Sequence, residues 1–145
     1  MNKLIVGIPC YNEEENIETL VEKWLLEKEN IKKYNYELII SPLDDKSTDS
    51  TKEILEKMQS KYNEVKPLFH RENKNLGGGV NTIFDYFLEI GESGDLLSIM
   101  DGDNTQDPKY ISSMLDKIKL GNDIVIASRY REGSKVIGVP KHRIL

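Results

Sequence analysis

Asp101 and Asp103 flank Gly102 directly after the apolar run 96–100. In extended chain, carboxylates two residues apart point the same way, and two unpaired acids facing one spot repel. A hard divalent cation relieves that repulsion. Mg²⁺ usually takes one or two carboxylates and completes its shell with water and phosphate oxygens, so the pair predicts a bound hard divalent cation able to neutralise a diphosphate leaving group. The competing reading is an Asx-type turn leading into a helix at Pro108, with Asp103 and Asp107 as capping residues. A calcium loop is excluded although Asp101, Asp103, Thr105 and Asp107 alternate. The position that requires Gly is Gln106, the one that requires Glu is Ser112, and a strand rather than a helix precedes the loop.

Other chemically capable side chains follow other apolar runs. Asp44 and Asp45 close the second run, where acids can accept hydrogen bonds from ribose hydroxyls or a base edge. Capping of the next helix explains Asp49 well and Asp44 poorly. After the first run come Pro9, Cys10, Tyr11, Asn12 and Glu13. Tyr11 could stack on a base, and Asn12 and Glu13 could bond to it or simply start the helix. Gly77, Gly78 and Gly79 could let backbone approach a ligand, but without Gly-Lys-Ser/Thr they are not a nucleoside-triphosphate phosphate loop. Arg129 follows the fifth run; its planar fork suits a diphosphate or an acceptor phosphate, or a surface ion pair. His70 and His142 have no His, Cys or acid at metal-ligand spacing and read as structural or solvent-exposed. Cys10 has no evident base and reads as a small buried side chain.

These groups are set by an alternation of elements. Strand-like runs at 3–8, 37–41, 65–69, 96–100 and 123–127 are rich in Ile, Val and Leu and nearly continuous, as strands covered on both faces should be. Between them lie four amphipathic helical patterns. The first carries Ile17, Leu20, Val21, Trp24 and Leu25. The second carries Ile54, Leu55, Met58 and Tyr62 behind Ser50 and Glu53, a candidate capping box. The third carries Val80, Ile83, Phe84, Phe87 and Leu88 after the three glycines. The fourth carries Ile111, Met114, Leu115 and Ile118, opened by Asp107 and Pro108 and closed by Gly121. All four stripes read as core. Five strands separated by four helices predict an α/β fold, with a mostly parallel sheet between two helical layers. Ligands then bind beyond the carboxyl ends of the strands, which is where the acids and Arg129 gather.

At 145 residues, 38% hydrophobic and 31% charged, the chain has the composition of one soluble globular domain. No repeat, low-complexity tract or linker marks an internal boundary. The net charge of −5 gives no long-range attraction for nucleic acid. Cys10 is the only cysteine, so no internal disulfide forms, and a lone thiol fits a reducing cytoplasm. The start is too short and broken for a signal peptide, and no window approaches the ~20 apolar residues of a membrane span. The expectation is a cytoplasmic domain, at most peripheral to the cytoplasmic face of a membrane.

Five stretches together, 8–17 (IPCYNEEENI), 44–49 (DDKSTD), 75–77 (NLG), 100–108 (MDGDNTQDP) and 127–130 (ASRY), resemble the family-two glycosyltransferases. Within them, the branch that makes polyprenyl-phosphate sugars is the most similar. The resemblance implies a GT-A, Rossmann-like three-layer fold and a GDP- or UDP-sugar donor bridged by Mg²⁺ or Mn²⁺ to Asp101 and Asp103. It implies an inverting transfer, with a lipid phosphate as one acceptor class. Pro9, Tyr11, Asn12, Glu13, Asp44 and Asp45 would then serve the nucleoside, Gly102 would lie within the metal-diphosphate loop, and Gln106 and Arg129 would serve the sugar or phosphate side. Three departures stand out: Lys46 where the family usually has Gly, Gly102 where Ala is commoner, and a loop lengthened by one residue at Asn104–Thr105. The resemblance also implies that 1–145 is the donor-binding part and that the acceptor-binding part lies outside it. Residues 130–145 would begin the acceptor loop.

Three other classes bear weighing. A phosphoacceptor receiver domain needs an acid pair after the first strand, Asp after the third and Lys after the fifth; here stand Pro-Cys-Tyr-Asn, His-Arg and Ser-Arg. A domain that binds a nucleotide-sugar without transferring it satisfies the same residues. Sugar nucleotidyltransferases would need a Gly-rich, basic loop after the first strand, which is missing.

Overall fold

The computed structural model describes residues 1–128 and 132–133. The chain divides into two compact units, Met1–Ile111 and Ser112–Leu145, without a Pro/Gly/Ser-rich linker between them.

The first unit holds four parallel strands, β1 (Asn2–Cys10), β2 (Tyr36–Asp44), β3 (Leu68–Phe69) and β4 (Leu96–Ile99), in the order β3-β2-β1-β4. Helices α1 (Ile17–Leu26) and the short α2 (Lys28–Lys33) join β1 to β2, α3 (Thr51–Lys61) joins β2 to β3, and α4 (Asn75–Ile90) joins β3 to β4. The chain steps toward β3 and then reverses to place β4 on the other side of β1. Right-handed crossovers therefore put α1 and α3 on one face and α4 on the other. In agreement, α1 touches α3, and α4 lies on β1 and β2. The sheet is thus the centre of three layers, as expected from the sequence.

β1 is the buried spine. Leu4, Ile5, Val6 and Ile8 are at most 2% exposed, and Ile17, Leu20, Val21 and Trp24 on α1 are equally buried. Gly7 has a specific reason to lack a side chain: a Cβ there would fall 2.3 Å from Ile83 Cγ2 on α4. Pro9 lies within a central strand, where a missing N–H normally breaks the ladder. It is tolerated because the β4 pairing ends at Gly7↔Ile99, before Pro9 is reached.

Several expectations are corrected. The run 65–69 yields only the two-residue β3 plus an isolated bridge from Val65 to Ile40. Pro67 has no amide to offer and interrupts the ladder. The run 123–127 is not a strand: no regular structure is assigned there, and Ile124 and Ile126 are about four-fifths exposed. Within its own unit, no strand is present among the described residues to pair with it. The capping box does not form, since Ser50 makes no side-chain cap bond. Asp49 caps instead, its Oδ1 accepting from Thr51 N (3.0 Å) and Thr51 Oγ1 (2.6 Å). A carboxylate is the stronger, charge-assisted acceptor. The three glycines lie inside α4 rather than ahead of it. The α4 stripe is core only in part, because Ile83 is buried while Phe84 and Leu88 are exposed.

The second unit contains most of α5 (Ile111–Lys119). A 3-10 turn, Pro108–Tyr110, precedes it, with Asp107 capping through Lys109 N (3.1 Å) and Pro108 in the first turn, as expected. Gly121 ends it at φ +90°.

The starts of β1 and β4 are tied by Asp95, whose side chain is 3% exposed. It accepts from Lys3 N (2.6 Å), Lys3 Nζ (3.2 Å) and Glu92 N (2.9 Å). Burial alone would push its carboxyl up, but these donors hold it below the usual carboxylate range. A depressed folded-state value stabilises above the unfolded-state value and is lost as pH falls through the folded one. Asp95→Ala should therefore cost about 2–3 kcal/mol at neutral pH, measured by urea unfolding, because charge-assisted bonds are lost. Its deficit relative to the unaltered protein should shrink in acid; a deficit independent of pH would contradict this role.

Candidate active site

The reversal of strand order lies between β1 and β4, and a doubly wound sheet opens a crevice at such a point. The segments leaving these two strands are 9–13 and 100–106. They meet: a Cβ on the buried Gly102 would lie 3.1 Å from Cys10 Sγ, 3.2 Å from Pro9 O and 3.3 Å from Glu13 Cγ. On the other side of Pro9 and Cys10 opens a cavity of about 340 Å³, walled by Pro9, Cys10, Tyr11, Asp45, Asn73, Asn75, Leu76 and Gly79. That volume falls in the range of small-ligand sites.

Asp101 and Asp103 are both exposed. β4 ends at Ile99 and the chain turns at Gly102 and Asp103, so the pair does not sit in the extended chain assumed from sequence. Asp103 Oδ1 accepts from Thr105 N (3.0 Å) and Thr105 Oγ1 (2.7 Å). This is the Asx turn considered above, but it uses only one of the two oxygens. Asp101 Oδ2 receives only a long bond from Gln106 Nε2 (3.4 Å). Asn104 stands in the left-handed region (φ 57°), its amide oxygen accepting from Lys23 Nζ on α1 (2.9 Å). Gln106 thus stands beside Asp101.

Each acid keeps an oxygen without a protein donor, and no cluster of three ligating side chains occurs among the described residues. Such a site suits a cation that draws most of its shell from phosphate and water, as Mg²⁺ does, and oxygen ligands favour Mg²⁺ or Mn²⁺ over softer metals.

The remaining candidates divide between cavity and scaffold. Tyr11, half exposed, offers its ring to the cavity. Asn12 (φ 56°) is a clasp: its N donates to Ser47 Oγ (2.9 Å) and its Oδ1 accepts from Thr48 N (2.8 Å). Glu13 starts α1 through its carbonyl, which accepts from Asn16 N and Ile17 N, while its Oε2 accepts from Asn16 Nδ2. Asp44 is buried, with Oδ1 accepting from Ser47 N (3.2 Å). Asp45 lines the cavity and is engaged by His70 and the Lys74 amide. Lys46 holds the left-handed conformation (φ 63°) that glycine would take without strain. Arg129, residues 130–131 and 134–145, and with them His142, lie outside the described residues.

Asn73, Asn75 and Leu76 are wall residues that sequence reading did not single out by role. The signal available was Asn75 just ahead of Gly77–Gly79, since Asn accepts the left-handed backbone (φ 60°) that starts α4. Cys10 is buried as expected. Burial, then the nearby Glu13 and Asp44 carboxylates, raise its thiol well above the ordinary value.

Comparison with known proteins bears on the family and the fold. The family model of glycosyl transferase family 2 matches residues 5–144. Dolichol-phosphate mannosyltransferase of Pyrococcus furiosus is 37% identical over 143 residues, which is 99% of this chain and 38% of that protein. Polyprenol monophosphomannose synthase of Mycolicibacterium smegmatis is 30% identical over 144 residues, or 99% of this chain and 51% of that protein. Among solved structures, mannosyltransferase PcManGT from Pyrobaculum calidifontis, in complex with GDP-Man and Mn²⁺, superposes with a TM-score of 0.61 at 17% identity, covering 79% of this chain and 31% of that one. S. aureus TarS 1-349 in complex with UDP gives a TM-score of 0.54 at 27% identity, covering 79% of this chain and 32% of that one. The sheet is that of GT-A glycosyltransferases, and the chain belongs to glycosyltransferase family 2. It spans between about a third and a half of the length of the curated relatives named here.

Two departures from the family pattern become testable. Lys46→Gly should raise stability by roughly 0.5–1 kcal/mol in urea unfolding, the left-handed penalty less the added chain entropy; a loss of stability would contradict strain at this turn. Gly102→Ala should cost about 1–2 kcal/mol by overpacking against Cys10. The double-mutant cycle with Cys10→Ala should return a coupling of about 1 kcal/mol, and strictly additive losses would show that Cys10 is not what demands glycine.

Proposed function

We propose that residues 1–145 form the donor-binding part of a metal-dependent, inverting glycosyltransferase that moves a sugar from a GDP- or UDP-sugar to an acceptor such as a polyprenyl phosphate. The observation that carries this reading is the meeting of 9–13 with the Asp101–Gly102–Asp103 turn, at the strand reversal and beside a cavity of ligand size. A base stacked on Tyr11 would lie near Pro9, and the diphosphate would extend toward Asp101 and Asp103. The mannosyltransferase and TarS neighbours, with GDP-Man and Mn²⁺ or UDP, favour the same class of ligand.

Asp101 and Asp103 would hold Mg²⁺ or Mn²⁺ through the oxygens left without protein donors. The ion would supply neutralisation of the departing diphosphate. Gln106, beside Asp101, would orient the sugar or phosphate side, and the fork of Arg129 suits a phosphate oxygen. A lipid phosphate acceptor is already ionised and needs no general base, whereas a sugar hydroxyl would need one. In-line displacement at the anomeric carbon then rests on orientation of donor and acceptor. No described helix is long and apolar enough to cross a membrane. A lipid acceptor would accordingly be met at a membrane surface, and the reading includes the cytoplasmic face as its place of action.

The shares of the relatives covered favour a second reading, binding of donor without transfer by this stretch alone. Calorimetric titration with UDP and GDP, with and without Mn²⁺, tests what both readings share. Binding should require the metal, and Asp103→Ala should weaken it at least ~10-fold, as loss of one charged ligand worth about 1.4 kcal/mol implies. Equal affinity without metal, or in the variant, contradicts the assignment. Turnover separates the two readings: slow donor hydrolysis at most is expected from these residues alone.

A further inference from the structure

We propose that His70 is a positioning residue for the cavity: it locks the Asp45 carboxylate to α4 and so fixes the wall formed by Asn73, Asn75, Leu76 and Gly79. The cavity's role as a nucleotide site rests on the function proposed above; the locking of its wall does not.

His70 follows β3 directly, and its side chain is 6% exposed, against 7% for that of Asp45. Its Nδ1 lies 2.6 Å from Asp45 Oδ1 and its Nε2 lies 2.9 Å from Thr82 Oγ1. An ionised carboxylate only accepts, so the Nδ1 proton is the one donated to Asp45. The ring thereby spans from the end of β2 to the second turn of α4. The Thr82 hydroxyl also lies 3.1 Å from Gly78 O, so its single proton is shared between that carbonyl and Nε2. The same Asp45 oxygen accepts from Lys74 N (2.8 Å), and Asp45 O accepts from Asn73 Nδ2 (3.1 Å). Asn73 Oδ1 in turn accepts from Asn75 N (3.0 Å). Of the wall residues contributed by 73–79, Asn73 and Asn75 are reached from Asp45 by one or two bonds, Gly79 lies in the turn between Gly78 and Thr82, and Leu76 stands between those two anchored stretches.

Electrostatics gives the link a second consequence. Asp45 is itself a wall residue, and an unpaired carboxylate facing the cavity would disfavour an anionic nucleotide. Imidazole is the side chain that can satisfy this acid and reach Thr82 at once, because its two nitrogens point in opposite directions.

The test compares His70→Leu with His70→Asn; the Asn amide can stand near the Nδ1 position and still donate to Asp45. At a temperature where circular dichroism shows both variants folded, His70→Leu should weaken Mn²⁺-dependent UDP or GDP binding at least ~10-fold, with His70→Asn within ~3-fold of the unaltered protein. A merely structural histidine would lower the melting temperature of both and leave affinity unchanged. Hydrogen exchange supplies a ligand-free arm: amides 73–79 should exchange ~10-fold faster in His70→Leu, while those of β1 keep their protection. Unchanged exchange at 73–79, or unchanged affinity in His70→Leu, overturns the proposal. If the unaltered protein binds neither nucleotide, the proposed function fails, and exchange alone decides the role of His70.

Discussion

The contact of Gly7 with Ile83 places everything around it. β1 lies between β2 and β4, where the strand order reverses, and α4 can lie close on it only because position 7 carries no side chain. A methyl group there would sit 2.3 Å from Ile83 Cγ2, a distance no packing tolerates. A second close approach, Gly79 against Leu43 and Pro9, brings the first turns of α4 over the ends of β1 and β2. The cavity is the space left under that turn. Strand reversal at β4 then carries Asp101 and Asp103 to the other flank of Pro9 and Cys10.

Several acids converge on this rim, and the fold handles them in different ways. Asp49 is spent on capping α3 and tethering Glu14 N, and backbone and hydroxyl donors lower its carboxyl against the opposing effect of burial. Asp45 is held by hydrogen bonds from His70 and the Lys74 amide in a buried network. Asp101 and Asp103 stay exposed, each with an oxygen unclaimed by protein donors. Unclaimed, adjacent carboxylates are costly to keep together without a counter-charge. That contrast, rather than acidity alone, is what the proposed metal role of the pair rests on.

Much of the fold was legible in the sequence because its periodicities are strong. The apolar runs of β1, β2 and β4 and the stripe of α1 gave the strands, a covering helix and the parallel sheet. What periodicity could not reveal was tertiary. The run 123–127 has strand-like residues, yet pairing needs a neighbour. Likewise, Phe84 and Leu88 continue the α4 stripe beyond what the sheet covers. The place of Pro9 and Tyr11 at the end of β1, and of Asp101 and Asp103 beyond β4, was legible from the strand pattern. The partition between Asp44 and Asp45 was not, because it depends on His70, 25 residues away in sequence, and on an amide at Lys74. Lys46 and Asn104 stood out as departures from a family pattern; their left-handed backbones show how the loops accommodate them.

A crystal of the protein grown with Mn²⁺ and either UDP or GDP tests the central claim most directly. The anomalous signal of manganese should lie within about 2.0–2.6 Å of carboxylate oxygens of Asp101 and Asp103, the span of hard-cation oxygen distances. It should also touch both phosphates of the nucleotide, whose base should rest against Tyr11. Manganese bound elsewhere, or those two carboxylates turned away from the diphosphate, would contradict it.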